Sequence, residues 1–170
     1  MHILYVLRHA KSSWDDPPLD DHERPLAPRG RAAVKLLAEH VRVNGIAPEE
    51  VLCSSARRTL ETLEGVLPGH QALIEPELYR ASAQEVLERL RRVPDHVNSL
   101  MLVGHNPAMH ALVLGLVGPV DADGEMEAVR RKFPTGALAT LTFACSWSEL
   151  APARAELTAY VRPKGLEHRD

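Results

Sequence analysis

Runs of consecutive apolar residues alternate along the chain with stretches in which apolar residues recur at helical spacing. Residues 3–7, 51–53 and 99–103 are apolar at nearly every position, which is typical of strands buried on both faces of a sheet. Residues 28–45 instead carry apolar side chains three and four positions apart, and the glycine at position 45 marks the expected end of that helix. The pattern therefore predicts both strands and helices.

Two further helices follow from the same spacing. Residues 56–67 predict a helix with Ser54 or Ser55 as its N-terminal cap. Residues 83–93 predict an amphipathic helix capped by Ser82. Each predicted helix comes after a predicted strand, so strands and helices are expected to alternate.

The rest of the chain extends this alternation. A last helix is expected to begin with Asn106 as its cap and Pro107 in its first turn. Residues 11–24 contain two prolines in sequence and several aspartates, which favours a polar loop. Shorter apolar runs predict an edge strand and two late strands, at residues 72–74, 137–144 and 155–161.

This order of elements favours an α/β fold: a three-layer α/β/α arrangement around a largely parallel sheet. The chain has 170 residues and contains no repeat, low-complexity tract or linker. A single domain covering residues 1–170 is therefore expected.

Composition narrows the possible partners and compartments. The formal net charge is −3, whereas nucleic-acid binders are usually strongly basic. The apolar runs are too short for a secretion signal or a membrane span, so no membrane partner is expected. Cys53 and Cys145 are too few for a disulfide framework, which is consistent with a reducing compartment. The sequence predicts a cytoplasmic protein.

Reactive residues stand at the ends of three predicted strands. The first strand ends in Arg8-His9, the second in residues 54–58 with two arginines, and a later one in Gly104-His105-Asn106. Ligands of open α/β sheets bind beyond the carboxyl ends of the strands, where helix N-termini also favour anions. If these strands are neighbours, two histidines and two or three arginines meet in one crevice.

Phosphoryl transfer is the chemistry that suits such a crevice. Arginine matches phosphate oxygens with its fork of donors, and a neutral imidazole is a competent nucleophile near neutral pH. A second histidine can donate to a phosphoryl oxygen, and arginines that neutralise its charge make a metal or other cofactor unnecessary. Each motif alone is commonplace, since an Arg-His pair after a strand usually lies in a solvated loop. The three together are specific.

The same stretches resemble the histidine phosphatase superfamily, which has the phosphoglycerate-mutase-like fold, and within it the short SixA-like phosphohistidine phosphatases. The paired Arg-His and Gly-His-Asn strand ends are the distinctive part of the resemblance. The matching stretches are LRHAKSSW (7–14), RPLAPRG (24–30), SSARRTLET (54–62), ELYRAS (77–82), VGHNP (103–107) and FPTGALATL (133–141).

The resemblance implies a role for each matching residue. His9 would be the nucleophile that becomes phosphorylated, and Arg8 and Arg58 would bind the phosphate. His105 would be the second catalytic histidine, which holds the phosphoryl oxygens. Ser12 and Asn106 would be pocket neighbours that contribute to phosphate binding.

The general acid is implied less directly. Larger relatives place a carboxylate after the equivalent of the short edge strand, and Glu77 is the best positional match, with a surface carboxylate as the alternative. The insertion that accompanies that acid is missing here. Two more departures are Ala10, where the wider superfamily has glycine, and Ser55, where proline is common. A weak acid would suit phosphohistidine, whose imidazole leaving group needs little protonation.

The leading hypothesis is a metal-independent phosphatase that works through a phosphohistidine on His9 and acts on phosphohistidine in proteins. A phosphatase for small phosphorylated metabolites is the nearer alternative. A phosphate-binding module without turnover is the alternative of another class. The expected partner is accordingly a phosphorylated protein or a small phosphorylated metabolite.

Overall fold

Six strands and six helices form the main elements of the computed structural model, which describes residues 1–15, 20–119 and 124–167. The strands are His2–Arg8 (β1), Glu50–Ser54 (β2), Leu73–Glu75 (β3), Ser99–Gly104 (β4), Leu138–Phe143 (β5) and Glu156–Val161 (β6). The helices are Pro28–Val43 (α1), Arg57–Val66 (α2), Ala83–Leu90 (α3), Ala108–Val117 (α4), Glu125–Arg131 (α5) and Pro163–Leu166 (α6). Short 3-10 helices occupy Asp21–Glu23, Pro76–Tyr79 and Trp147–Glu149.

The strands form one mixed sheet in the order β3-β2-β4-β1-β5-β6. Strand β1 pairs in parallel with β4, and β4 pairs in parallel with β2, which does the same with β3. Strand β5 runs antiparallel to both β1 and β6. The predicted α/β class with a largely parallel sheet is thus confirmed, and the short third strand lies at an edge as expected.

Both faces of the sheet are buried, which explains the unbroken apolar runs. Side chains alternate across a strand, so Leu4 and Val6 of β1 pack on the face covered by α3 and α4. Tyr5 and Leu7 pack on the opposite face, against α1 and α2. The two apolar cores fix the central strands, and with them the positions of the strand ends.

The helix starts agree with the sequence only in part. Ser82 caps α3 as predicted, in a capping box with Glu85. The prediction that Ser54 or Ser55 caps α2 is wrong, because Ala56 occupies the cap position and makes no side-chain bond there. Helix α4 has Pro107 rather than Asn106 at its cap position.

A close approach fixes the loop that follows β1. The Ala27 N–H donates to the Lys11 carbonyl over 2.9 Å, where α1 begins. A Cβ atom on Gly30 would lie 2.1 Å from the same carbonyl oxygen, so glycine is required there. The loop that follows the Arg-His pair therefore packs directly against the first turn of α1.

The described helices are short compared with a bilayer. The longest, α1, has 16 residues, and the most apolar, α4, has 10. Within the described parts of the chain, no helix combines the length and apolar character needed to cross a membrane.

Candidate active site

The carboxyl ends of β1, β2 and β4 lie side by side at one edge of the sheet. Arg8 is in register with Gly104, and Cys53 is in register with Val103. The His9 N–H continues the ladder by donating to the Gly104 carbonyl over 3.1 Å. The predicted convergence of these three strand ends is confirmed by the sheet order.

His9 is buried, and its ring has one defined tautomer. Its Nδ1 lies 2.7 Å from the Ala10 carbonyl oxygen. Because a carbonyl only accepts, Nδ1 carries the proton and the neutral ring has its lone pair on Nε2. Burial lowers the pKa of His9 to about 4; the Ala10 bond opposes this, and the charges of Arg58, Arg8 and a third arginine reinforce it. His9 is therefore neutral and nucleophilic at physiological pH.

The backbone around His9 is held by hydrogen bonds from two sides. The Ala10 N–H donates to the Thr62 hydroxyl over 3.0 Å, and that hydroxyl donates to the Arg58 carbonyl over 2.7 Å. The Gly136 N–H donates to the His9 carbonyl over 2.9 Å. The loop that carries His9 is thus tied both to α2 and to the turn before β5.

His105 lies beside His9, with the two ring centroids 5.3 Å apart. Its Nε2 is 2.7 Å from the Ser54 hydroxyl, at the end of β2. Burial lowers the pKa of His105 to about 3, and the neighbouring His9 and Arg58 charges contribute. Its Nδ1 is buried and has no hydrogen-bond partner among the described residues. Ser54, which orients this ring, was not predicted as a site residue.

Two arginines complete the group. Arg8 donates from Nη1 to the Phe133 carbonyl over 3.0 Å. Arg58 donates to Asp21 from both terminal nitrogens. In each arginine the Nε–H is buried without a partner in the described part of the chain. Buried polar groups are rarely left unpaired, so these two donors and the Nδ1 of His105 make this group a candidate site for an anionic ligand.

Asp21, which was not predicted as a site residue, holds the neighbouring side chains at the edge of the site. Asp21 accepts at Oδ1 from Arg24 and at Oδ2 from Arg58 and the Tyr79 hydroxyl. The Tyr79 ring stands edge-on to His105, with centroids 5.5 Å apart. Burial alone raises the pKa of Asp21, but the hydrogen bonds from Tyr79, Arg58 and Arg24 outweigh it and hold that pKa well below its ordinary value. The carboxylate is ionised at neutral pH.

The two predicted pocket neighbours contact the arginines and their supports. The Ser12 hydroxyl accepts from Arg24 Nη1 over 2.8 Å. Asn106 donates from Nδ2 to the Phe133 carbonyl over 2.8 Å, the oxygen that also accepts from Arg8. Asn106 Oδ1 accepts from a backbone N–H of α4 over 3.2 Å. Among the described contacts, neither side chain touches His9 or His105.

Glu77, the predicted acid, lies in the 3-10 helix Pro76–Tyr79 and is exposed. It lines a cavity of about 440 Å³ with three other glutamates, Glu75, Glu85 and Glu88, and with two arginines. The described contacts do not join Glu77 to His9 or His105. The structure therefore brings together four of the predicted residues, the two histidines with Arg8 and Arg58, and the part of the chain it describes shows no bond from Glu77 to them.

Known proteins are similar to this chain in sequence and in fold. The profile of the histidine phosphatase superfamily (branch 1) matches residues 4–80. An uncharacterised protein of Mycobacterium tuberculosis is 37% identical over 93% of this chain and 100% of its own length. A candidate phosphohistidine phosphatase, SixA, of Nakamurella multipartitia superposes with a TM-score of 0.83 and 30% identity, over 95% of this chain and 96% of that one. A second SixA candidate, from Agrobacterium tumefaciens, gives a TM-score of 0.80 and 29% identity, over 95% and 98% of the two chains.

The fold, the motifs and these neighbours define the class of the protein as a phosphatase, a hydrolase of phosphoryl groups. The chain belongs to the histidine phosphatase superfamily, and its SixA-like character agrees with the resemblance of its motifs.

Proposed function

We propose that this phosphatase removes the phosphoryl group from phosphohistidine side chains of proteins through a phosphoenzyme intermediate on His9. One observation carries the proposal: a neutral histidine, with its Nε2 lone pair free, lies beside buried donors that have no partner in the described chain. The names of the two SixA structures support the same substrate.

In the first step, Nε2 of His9 attacks phosphorus in line with the substrate P–N bond. The new N–P bond forms as the old one breaks, and the substrate ring, which carries a proton on its other nitrogen, leaves with the electron pair as neutral imidazole. Arg8, Arg58 and His105 donate to the equatorial phosphoryl oxygens, where positioned charge does most of the catalysis. The proton on Nδ1 of His9 stays bonded to the Ala10 carbonyl and stabilises the phosphorylated ring.

In the second step, water attacks the phosphorus of the intermediate. The bond from phosphorus to Nε2 breaks, inorganic phosphate is released, and the ring returns to its neutral form. The same three donors hold the phosphoryl oxygens, so one arrangement serves both steps.

The carboxylate nearest the arginines supports a substrate with a good leaving group. Asp21 is held ionised by its hydrogen-bond donors, so it has no proton to give at neutral pH. Imidazole has an ordinary pKa of about 6.5, so the ring of phosphohistidine can take a proton on its other nitrogen near neutral pH and depart as a neutral ring. An alkoxide has no such position and requires an acid. Phosphohistidine fits this site better than an alkyl phosphate ester.

The role of Glu77 as general acid stays a prediction. If it protonates the leaving group, Glu77→Gln should lower turnover of an alkyl phosphate ester far more than turnover of phosphohistidine. If Glu77→Gln leaves the turnover of each substrate unchanged, Glu77 has no part in the mechanism.

The substrate is tested by phosphate release from three probes, with EDTA present: a histidine-phosphorylated protein, a phosphoserine peptide and a small aryl phosphate. We expect kcat/KM to be highest for the phosphohistidine protein. A preference for the aryl phosphate would make the chain a small-molecule phosphatase. Tight binding of phosphorylated ligand without phosphate release would indicate the binding module instead.

A further inference from the structure

Both terminal nitrogens of Arg58 bond the same residue, Asp21. Its Nη1 donates to the Asp21 carbonyl over 2.7 Å and its Nη2 to the Asp21 carboxylate over 3.0 Å. The guanidinium is planar, so fixing both terminal nitrogens also fixes the direction of the Nε–H bond. That Nε–H is the buried donor that no described residue accepts.

Asp21 is in turn held from its other side. Arg24 donates from Nε to Oδ1 over 3.0 Å, with its Nη2 also 3.0 Å from that oxygen, and the Tyr79 hydroxyl donates to Oδ2. Tyr79 also stands edge-on to His105. The carboxylate therefore ties the direction of Arg58 to the position of the second histidine.

We propose that Asp21 is a positioning residue, which aims the Nε–H of Arg58 at the transferring phosphoryl group. The inference rests on the proposed function. Asp21 also adds a negative charge beside Arg24 and Arg58, which together with Arg8 lie close enough to His9 to lower its pKa. Removal of Asp21 leaves three cations around a dianionic ligand, so phosphate binds at least as tightly while the aim of Arg58 is lost.

A positioning role differs in its kinetics from a purely structural role and from a blocking role. A residue that only stabilises the fold would, when replaced, lower the melting temperature without changing the kinetics of the folded enzyme. A carboxylate that merely occupies Arg58 until substrate displaces it would, when replaced, raise kcat. If Asp21 positions Arg58, its replacement lowers kcat and leaves the affinity for phosphate undiminished.

The test compares Asp21→Asn with Asp20→Asn, which changes the neighbouring exposed aspartate that makes no side-chain cap bond. We measure kcat and KM on the preferred substrate, the inhibition constant of inorganic phosphate, and the melting temperature. Asp21→Asn should lower kcat about 100-fold, as misplacement of a catalytic group does. Its inhibition constant for phosphate should stay the same or fall, and Asp20→Asn should match wild type.

Tyr79→Phe provides a second test if Asp21→Asn folds poorly. It removes one donor to the Asp21 carboxylate and leaves the aromatic ring in place, so we expect a loss in kcat of about tenfold. Unchanged or raised kcat in both variants, or a fall in kcat matched by an equal loss of phosphate affinity, would overturn the inference. Wild type without turnover of any phosphorylated probe would overturn the proposed function first, and this inference with it.

Discussion

Two buried histidines are kept neutral among cationic groups at this site. His9 and His105 are 7% and 9% exposed, and arginine charges lie close enough to lower the pKa of both rings. The hydrogen bond to Ala10 then decides which nitrogen of His9 keeps the lone pair. Because of these contacts, His9 does not need to lose a proton before it can act as a nucleophile.

The pKa of His9 can be measured directly. Because burial favours the neutral ring, we expect its imidazole resonance to titrate near pH 4 rather than near the ordinary value of about 6.5. The neutral ring is the reactive form, so activity should persist as the pH falls from 7 and be lost only on approach to pH 4. The measurement is an NMR titration, with the His9→Ala spectrum to assign the signal. A His9 signal that titrates at its ordinary value would contradict the prediction.

Ser54 offers a test of how His105 is oriented. Ser54→Ala removes the hydroxyl bonded to Nε2 of His105, so the ring should lose its fixed position. We expect kcat to fall about tenfold, the equivalent of one hydrogen bond. Ser55→Ala is the matched control, since that hydroxyl contacts His22 instead. Equal activity in the two variants would show that Ser54 does not orient the ring.

Residues at strand ends could be predicted from the sequence, whereas their supports could not. Arg8, His9 and His105 follow apolar runs directly, so the sheet alone determines where they point. Asp21 and Tyr79 come from polar segments whose positions depend on tertiary contacts, and no local periodicity marks them. A carboxylate in a loop rich in aspartates gave no signal that it binds Arg58.

At the scale of elements, the turn from β1 into α1 determines the shape of the site. Gly30 lies in the first turns of α1 against the Lys11 carbonyl, two residues after the nucleophile. A second close approach occurs where a Cβ on Gly65 of α2 would lie 2.1 Å from Val34 of α1. Two glycines thus let both helices lie close to their neighbours.

Gly30→Ala should therefore damage both stability and activity. The added methyl group meets backbone rather than a flexible side chain, and such overpacking costs roughly 1–3 kcal/mol. Gly115→Ala is the control, because that glycine lies in α4 with open space around its Cβ position. It should stabilise the protein by up to about 1 kcal/mol. Denaturant unfolding measures the stability of both variants, and kcat/KM measures their activity. Equal stability of the two variants would contradict the prediction.

The elements were more predictable than their ends. Apolar periodicity placed the strands and α1 to α4, because two buried sheet faces and one-sided helices leave clear patterns. The cap of α2 was missed because the short bond of the Ser54 hydroxyl, over 2.7 Å, joins His105, and its bond from the Ala56 N–H is long, at 3.4 Å. Helix α5 was not predicted: its seven residues bury only Met126 and Val129, too few to produce a visible period.

For the whole molecule, a site of this kind lowers stability. Buried imidazoles and donors without partners are costly in a folded chain, and proteins keep them where function requires them. The apolar cores on the two faces of the sheet offset that cost. Stability should therefore depend on the protonation of the site.

Acid should destabilise the fold well before carboxylates titrate. His9 and His105 have pKa values near 4 and 3 when folded and about 6.5 when unfolded, so the unfolded chain binds protons first as the pH falls. The free energy of unfolding should fall by on the order of 3 kcal/mol between pH 7.5 and pH 5, and by about half of that in His9→Ala. Denaturant unfolding at the two pH values measures it. A wild-type stability that is equal at both would contradict the prediction.

The most direct test of the mechanism is to trap the phosphoenzyme. Enzyme is mixed briefly with a histidine-phosphorylated protein carrying a radioactive phosphoryl group, quenched in alkali, and mapped by peptide analysis. We expect acid-labile label on the peptide that contains His9, and neither label nor phosphate release in His9→Ala. Label on another residue, or phosphate release that persists in His9→Ala, would contradict the assignment of His9 as the nucleophile.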